Sequence, residues 1–222
     1  MGRKLLIIGG VAGGATAAAR ARRIDEHAEI ILFERGEYIS FANCGLPYFI
    51  GDVIEQRDSL LVTTPESFSA RYNIDIRIFH EVTSIDRELR QVTVRDLTTG
   101  QAYREPYDRI ILSPGAEPVK PKIPGIDEPG IFNLRSIPDS ENIKTFVDTV
   151  RPRDAVVVGG GFIGLEMAEN LVERGVNTTI VEMLDQVMPP LDYEMAGLVH
   201  AHLREQRVTL KLKEGVTSFA HN

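Results

Sequence analysis

The chain has 222 residues, a formal net charge of −7 and 43% hydrophobic residues, enough apolar material for one substantial core or two smaller ones. The acidic balance argues against nucleic acid, which calls for clustered Lys and Arg, and the longest apolar runs are too short and too rich in glycine to span a bilayer. A single cysteine, Cys44, excludes an intrachain disulfide and points to a reducing, cytoplasmic setting.

Residues 4–8 are a short, apolar, β-rich run and read as a buried strand. Residues 9–14 (GGVAGG) form a glycine turn, and the alanine-rich residues 15–23 a helix. The basic start and apolar centre imitate a signal peptide, but strand, turn and helix account for the same residues once a second strand, 29–34 (EIILFE), completes the unit. This is β-α-β, whose parallel strands need cover on both faces.

Next comes SFANCGLPYFIGD, residues 40–52, which holds Cys44 in a turn of small residues. Pro47 suits the first turn of a helix, which places Cys44 at or just before a helix N-terminus, with Ser40 and Asn43 as nearby donors. Such a setting suits a reactive thiol better than an inert buried one. Residues 74–107 alternate and turn like a small antiparallel meander, followed by one more buried strand ending at Leu112. The Pro-rich stretch 119–130 reads as a crossover linker.

The opening pattern then returns. Residues 155–158 are a strand, 159–164 (GGGFIG) a turn, 162–174 a helix ended by Gly175, and 177–182 (NTTIVE) a second strand. The first glycines of the two turns lie 159 − 9 = 150 residues apart. The chain is therefore expected to be α/β, with two Rossmann-like dinucleotide-binding units and an antiparallel β-meander insert: 1–118, a linker and helix over 119–150, and 151–222.

In the second turn Gly159, Gly161 and Gly164 complete G-x-G-x-x-G around Phe162 and Ile163. The glycines serve a tight turn, close approach of a pyrophosphate and close helix packing, and the phosphates sit on unpaired N–H groups at the helix N-terminus. Glu182 ends the next strand, where a carboxylate bonds a ribose 2′-OH and repels a 2′-phosphate, so NADH is favoured over NADPH. The first turn keeps Gly9 and Gly14 but has Val11 at the middle position, with Gly10 and Gly13 expected to give the backbone room. Glu34 is its ribose partner. His200 and His202, two apart on a helix, diverge and make a poor metal pair, so no metal site is expected.

Two such units, SFANCGLPY, LSPGAEP (112–118) and GGGFIGLEMAENL, in that order, resemble the pyridine nucleotide-disulfide oxidoreductases. The likeness is to their single-cysteine branch: coenzyme A-disulfide reductases, NADH oxidases and peroxidases, and NADH-dependent persulfide reductases. GGVAGGATAAARARR is the form this branch uses, which accounts for Val11. The resemblance implies FAD on the first unit, at Gly9, Ala12, Gly14, Glu34, Arg35 and Asn43, with the Val82 backbone at the adenine and Ser113 and Gly115 as further contacts. It implies NADH on the second, at Gly159, Gly161, Phe162, Ile163, Gly164 and Glu182, with Glu166 and the Phe162 ring near the flavin–nicotinamide junction. Many relatives have Tyr where this chain has Phe162.

By the same resemblance, hydride passes from NADH through FAD to sulfur at Cys44. Without a partner cysteine the oxidised form is a mixed disulfide, a persulfide or a sulfenic acid, so the acceptor is a small disulfide, a persulfide or a peroxide. Coenzyme A is implied as substrate or bound thiol, at Thr16, Arg20, Arg23, Ser40 and Asn43. Arg20 and Arg23 share one side of the first helix, although cations also suit a helix C-terminus. A further family contact, a Lys, falls at Tyr72 here, beside Arg71. Family members run on through the rest of both nucleotide domains and a dimerisation domain, so this sequence is expected to be the N-terminal part of a longer homodimeric protein. Three readings stay open: oxidase or peroxidase chemistry at Cys44, a non-catalytic nucleotide-binding module, and a reductase for a ferredoxin-like partner, which would not need Cys44.

Overall fold

Lys4–Ile8 (β1), Glu29–Phe33 (β2), Asp75–Arg77 (β3) and Arg109–Leu112 (β7) pair in parallel in the order β3-β2-β1-β7. The pleat sends alternate side chains to opposite faces. Ile7, Ile30 and Leu32 pack toward Ala15, Ala18 and Ala19 of α1 (Ala12–Ile24) and Phe68 of α3 (Pro65–Tyr72). Leu6, Ile31 and Phe33 pack instead against Val92 and Val94. Those valines lie in β5 (Gln91–Asp96), the centre of an antiparallel meander with β4 (His80–Asp86) and β6 (Ala102–Pro106). Both faces of the parallel sheet are thus covered, which is why its strands read as continuous apolar runs.

The computed structural model describes residues 2–220 and divides the chain into two compact units, Met1–Ala42 with Leu60–Ala116, and Asn43–Ser59 with Glu117–Asn222. Sequence grouping keeps residues 43–59 with the first nucleotide unit; in the structure they pack with the second.

That second unit has a three-stranded parallel sheet, β10-β9-β8, from Asp154–Val158 (β8), Asn177–Glu182 (β9) and Thr209–Leu212 (β10). Helices α2 (Leu46–Ile50), α4 (Ile137–Val150), α5 (Phe162–Glu173) and α6 (Tyr193–Glu205) supply its cores: Ile50 with Ile143, Val147, Met167 and Leu171, and Ala168 with Ile180, Val187 and Leu203. On β8, Val156 and Val158 stay exposed. No helix among the described residues is long and apolar enough to cross a membrane.

Several element boundaries depart from the sequence reading; β2 ends at Phe33 rather than residue 34 and β8 begins at Asp154 rather than 155. The first helix begins at Ala12 rather than residue 15, because the second half of GGVAGG already forms its opening turn. The second such helix ends at Glu173, with Arg174 as its C-cap. Residues 75–77 belong to the parallel sheet rather than the meander, which starts at His80. Phe79, in left-handed backbone at φ 57°, turns the chain from one sheet to the other: its N–H donates to Gly36 O at 3.2 Å and its carbonyl accepts from Leu97 N at 2.8 Å.

A buried charge cluster fastens the meander to the parallel sheet. Glu105, 9% exposed, accepts from Lys4 Nζ at 2.7 Å and Arg77 Nη1 at 2.6 Å. Burial alone would raise its carboxyl pKa; the hydrogen bonds from Lys4 and Arg77 outweigh that and hold it below the ordinary range. The stabilisation is therefore complete above the ordinary Glu value of about 4.3 and is lost as pH falls from there through the lowered native value. Replacing Glu105 by Ala takes one partner from each cation and leaves Lys4 with Glu29 and Arg77 with Asp75. It is expected to cost about 1–3 kcal/mol at neutral pH in denaturant unfolding, and to flatten the acid limb of stability below about pH 4.

Candidate functional site

The two glycine turns are built alike. Each parallel strand ends on a glycine with positive φ, +94° at Gly9 and +106° at Gly159, where a side chain would be strained. The Gly9 N–H donates to Phe33 O and the Gly159 N–H to Val181 O, both at 2.8 Å. A side chain at Gly14 would strike the carbonyl of Gly9, and one at Gly164 the carbonyl of Gly159. The helix can start this close to the strand only because both positions lack a Cβ.

The acid at the end of the second strand then closes each turn. Glu34 accepts the Gly10 N–H on Oε2 at 2.7 Å and the Gly36 N–H on Oε1 at 2.9 Å. Glu182 repeats the arrangement, with Gly160 N–H at 2.7 Å and Leu184 N–H at 2.8 Å. Backbone donors to a carboxylate are worth about 1.5–3 kcal/mol each. Each glutamate thus shapes its turn through two backbone bonds, a part the sequence reading did not assign to it.

That reading also missed the partner. Gly10 does not open room for a ligand: a Cβ there would come within 2.8 Å of Ile39 Cγ2 and 2.9 Å of Leu32 Cδ2. Its counterpart Gly160 meets Val187 Cγ1 at 2.8 Å. The available signal was the duplication, since the Gly-Gly pairs 9–10 and 159–160 recur at the same spacing as the turns.

Room for a ligand lies elsewhere. A Cβ at Gly161 would meet nothing within 4 Å, so the middle glycine faces an open cradle. Neither α1 nor α5 has a side-chain N-cap or an acidic residue in its first turn. By contrast, α3 is capped by Thr64 and α4 by a capping box of Ser136 and Asp139, and α6 carries Glu194 in its first turn. The first N–H groups of α1 and α5 are therefore left for an anion, the donor set that a dinucleotide pyrophosphate fits.

Around the first turn the structure gathers much of the expected set. Ser113 N–H donates to Ile8 O at 2.8 Å, the Ser113 carbonyl lies under Gly9, and a Cβ at Gly13 would sit 3.3 Å from Ser113 Oγ. Gly115, at φ 72°, carries the chain on. The Glu34 carbonyl accepts from His80 N at 2.9 Å, which ties the start of β4, and with it Val82, to the end of β2. Val82 packs on the Leu6–Phe33 side of the sheet. Ala12 and Arg35 are exposed, and Val11, at the position of the missing glycine, is half-buried.

On α1, Thr16, Arg20 and Arg23 share the exposed face. Arg22 is turned away: its guanidinium donates to Tyr72 O at 2.9 Å, Asn73 O at 2.6 Å and Glu26 O at 2.7 Å, clamping the ends of α1 and α3. The basic cluster thus separates into one structural arginine and two solvent-facing ones. Ser40, at φ 47°, donates its N–H to Gly10 O at 3.1 Å.

Within the second unit, Cys44 is exposed in a 3-10 turn, Asn43–Gly45, that runs directly into α2, with Asn43 exposed beside it. Glu169 chiefly, then burial, Glu166 and Cys44, raise the Tyr48 phenol pKa above its ordinary value. Phe162 and Ile163 are exposed at the start of α5, and Glu166 is half-buried one turn on. Beyond Glu182, the loop of residues 183–191 is pinned to the turn by Met188 N–H to Gly160 O at 2.8 Å. His200 of α6, 7% exposed, accepts the Val187 N–H on Nε2 at 3.1 Å, so its ring serves as a neutral acceptor inside the unit.

A family model for pyridine nucleotide-disulphide oxidoreductases matches residues 3–222. The chain is similar to the coenzyme A disulfide reductase of Staphylococcus haemolyticus, 38% identical over 216 residues, which covers 97% of this chain and 48% of that protein. Among solved structures it is similar to reduced Bacillus anthracis CoADR-RHD, at 55% identity and a TM-score of 0.96, over 98% of this chain and 39% of that one. It is also similar to an NAD-dependent persulfide reductase from A. fulgidus, at 37% identity and a TM-score of 0.93, over 98% of this chain and 41% of that one. The chain spans about half the length of the curated relatives it matches.

Burial, and then Arg204, lower the His200 pKa. A histidine lowered in the folded state contributes its full stability above the ordinary value of about 6.5 and loses it as pH falls from there toward the native value. Thermal unfolding is expected to show this loss as pH falls below about 6.5, and His200→Gln, which cannot titrate, to flatten it.

Proposed function

Because the chain belongs to the pyridine nucleotide-disulphide oxidoreductase family, we propose that it supplies the FAD turn, the NADH turn and the redox thiol of an NADH-dependent reductase of small disulfides. The observation that carries this reading is an exposed lone thiol, Cys44, in a chain with two uncapped glycine turns, each closed by a strand-end glutamate.

Gly9, Ala12, Gly14, Glu34 and Arg35 would hold the FAD pyrophosphate and ribose, with Val82, Ser113 and Gly115 beside them. Gly159, Gly161, Phe162, Ile163, Gly164 and Glu182 would hold NADH. Bound FAD supplies a two-electron relay between nicotinamide and sulfur. Cys44 Sγ, as thiolate, attacks one sulfur of a disulfide, forms a mixed disulfide and releases one thiol. Two electrons from NADH then cleave the mixed disulfide, releasing the second thiol and restoring the Cys44 thiolate. In sum, NADH, a proton and one disulfide give NAD⁺ and two thiols.

The Glu182 carboxylate supports NADH over NADPH, since a 2′-phosphate would meet its charge. Coenzyme A disulfide is the substrate we favour. Thr16, Arg20 and Arg23 form an exposed face suited to its phosphates, with Ser40 and Asn43 as further contacts, and relatives at 36–38% identity carry that name. The likeness to a persulfide reductase supports a second substrate class handled by the same thiol, with a thiol and sulfide as products. A lone cysteine supports a reducing, cytoplasmic setting.

In the full-length protein, Cys44→Ser is expected to keep NADH binding and to lower NADH-dependent disulfide turnover about 1,000-fold or more. Turnover at the wild-type rate would sink the proposal. Thiol counted against NADH consumed separates this reading from oxidase or peroxidase chemistry, which makes water instead.

A further inference from the structure

The cysteine segment is fastened to the second unit by more than its apolar contacts. Ile50, fully buried, packs with Ile143, Val147, Met167 and Leu171. A side chain at Gly51 would strike Asn170 Oδ1, and Asn170, 1% exposed, is itself held by its Nδ2 donating to Glu166 O at 2.8 Å. Asp52 sits in left-handed backbone at φ 64° and pairs with two cations. One is Lys144, whose ammonium also lies 5.6 Å from the centre of the Phe49 ring and 3.5 Å from Asp148. The other is Arg174.

Arg174 is the hub. Its Nη1 donates to Ile50 O at 2.9 Å and lies 2.9 Å from Asp52 Oδ2, while its Nη2 bonds Asp148. One planar guanidinium thereby joins the last carbonyl of α2, Asp52 two residues beyond it and α4, from the C-cap of α5. A lysine there could pair with Asp52 but could not hold all three partners in one plane. At the opposite end of α5 lies the glycine turn 159–164.

We propose that Arg174 is a positioning residue for Cys44: it docks the cysteine-bearing α2 onto α5, so one rigid helix fixes the nucleotide turn and the thiol segment together. The docking stands on the contacts alone; its catalytic consequence rests on Cys44 being the redox thiol.

Hydrogen–deuterium exchange of the full-length protein tests it. In Arg174→Ala, backbone amides of residues 48–54 are expected to exchange about 10-fold faster, the effect of losing charged hydrogen bonds, while β8, β9 and β10 keep their wild-type rates. Arg174→Lys, which keeps only one of the three partners at a time, is expected to recover less than half of the change on a logarithmic scale. In the same Ala variant, rapid-mixing kinetics should show NADH reducing the bound flavin within twofold of the wild-type rate and the disulfide step slowed about 10-fold. Unchanged exchange at 48–54, equal acceleration across the whole unit, or full rescue by Lys would overturn the docking role. Faster local exchange with an unchanged disulfide step would overturn the catalytic consequence and leave the docking intact. Cys44→Ser reports separately on whether the thiol takes part at all.

Discussion

A carboxylate that accepts two backbone N–H groups holds each nucleotide turn of this protein in shape. Glu34 and Glu182 stand at the ends of equivalent strands and each grips the second residue of its own glycine turn and the chain two residues beyond itself. Without that grip the Gly10 and Gly160 N–H groups would lose their acceptor, and each residue would be held only through its carbonyl, by Ser40 N–H and Met188 N–H. The ribose contact proposed for each nucleotide falls to the same carboxylates. One group would thus both shape the turn and meet the ligand, and the absence of caps on α1 and α5 leaves N–H groups of the kind that suit a pyrophosphate.

Much of this was legible in the sequence. Apolar runs with no alternation gave the parallel strands because both faces of the first sheet are buried, and the 150-residue repeat gave the second unit. What failed was local. The meander was read from residue 74 because Asp75–Arg77 and His80–Asp86 alternate alike; only the left-handed Phe79 separates them, and a phenylalanine gives no sign of that backbone. Gly10 was read as ligand space because its apolar neighbours, Leu32 and Ile39, lie more than 20 positions away. Arg20, Arg22 and Arg23 look equivalent in a row, and a helix turns Arg22 toward Tyr72 and Asn73 while leaving the other two in solvent. His200 looked bland beside His202, yet burial gives it a backbone donor to accept.

The cysteine segment shows a constraint that short-range sequence reading does not reach. Residues 43–59 follow the first nucleotide unit directly, but their apolar side chains complete a core made by α4 and α5 more than 80 residues later. Arg174 and Lys144 add charge to that docking through Asp52. Tying the cysteine segment to the helix that begins at the second turn limits how far the two can drift apart. The membership of this chain in a family of pyridine nucleotide oxidoreductases, and its high structural similarity to coenzyme A disulfide and persulfide reductases, fit that economy of parts.

The central claim is that each strand-end glutamate both shapes its turn and binds the nucleotide there, so NADH affinity should depend on Glu182 and not on its counterpart. Calorimetric titration of NADH into the wild type, Glu182→Ala and Glu34→Ala tests this directly. The account predicts that Glu182→Ala weakens NADH binding at least about 10-fold, while Glu34→Ala leaves it within about twofold. Equal affinity in the wild type and Glu182→Ala, or equal losses in both variants, would contradict it.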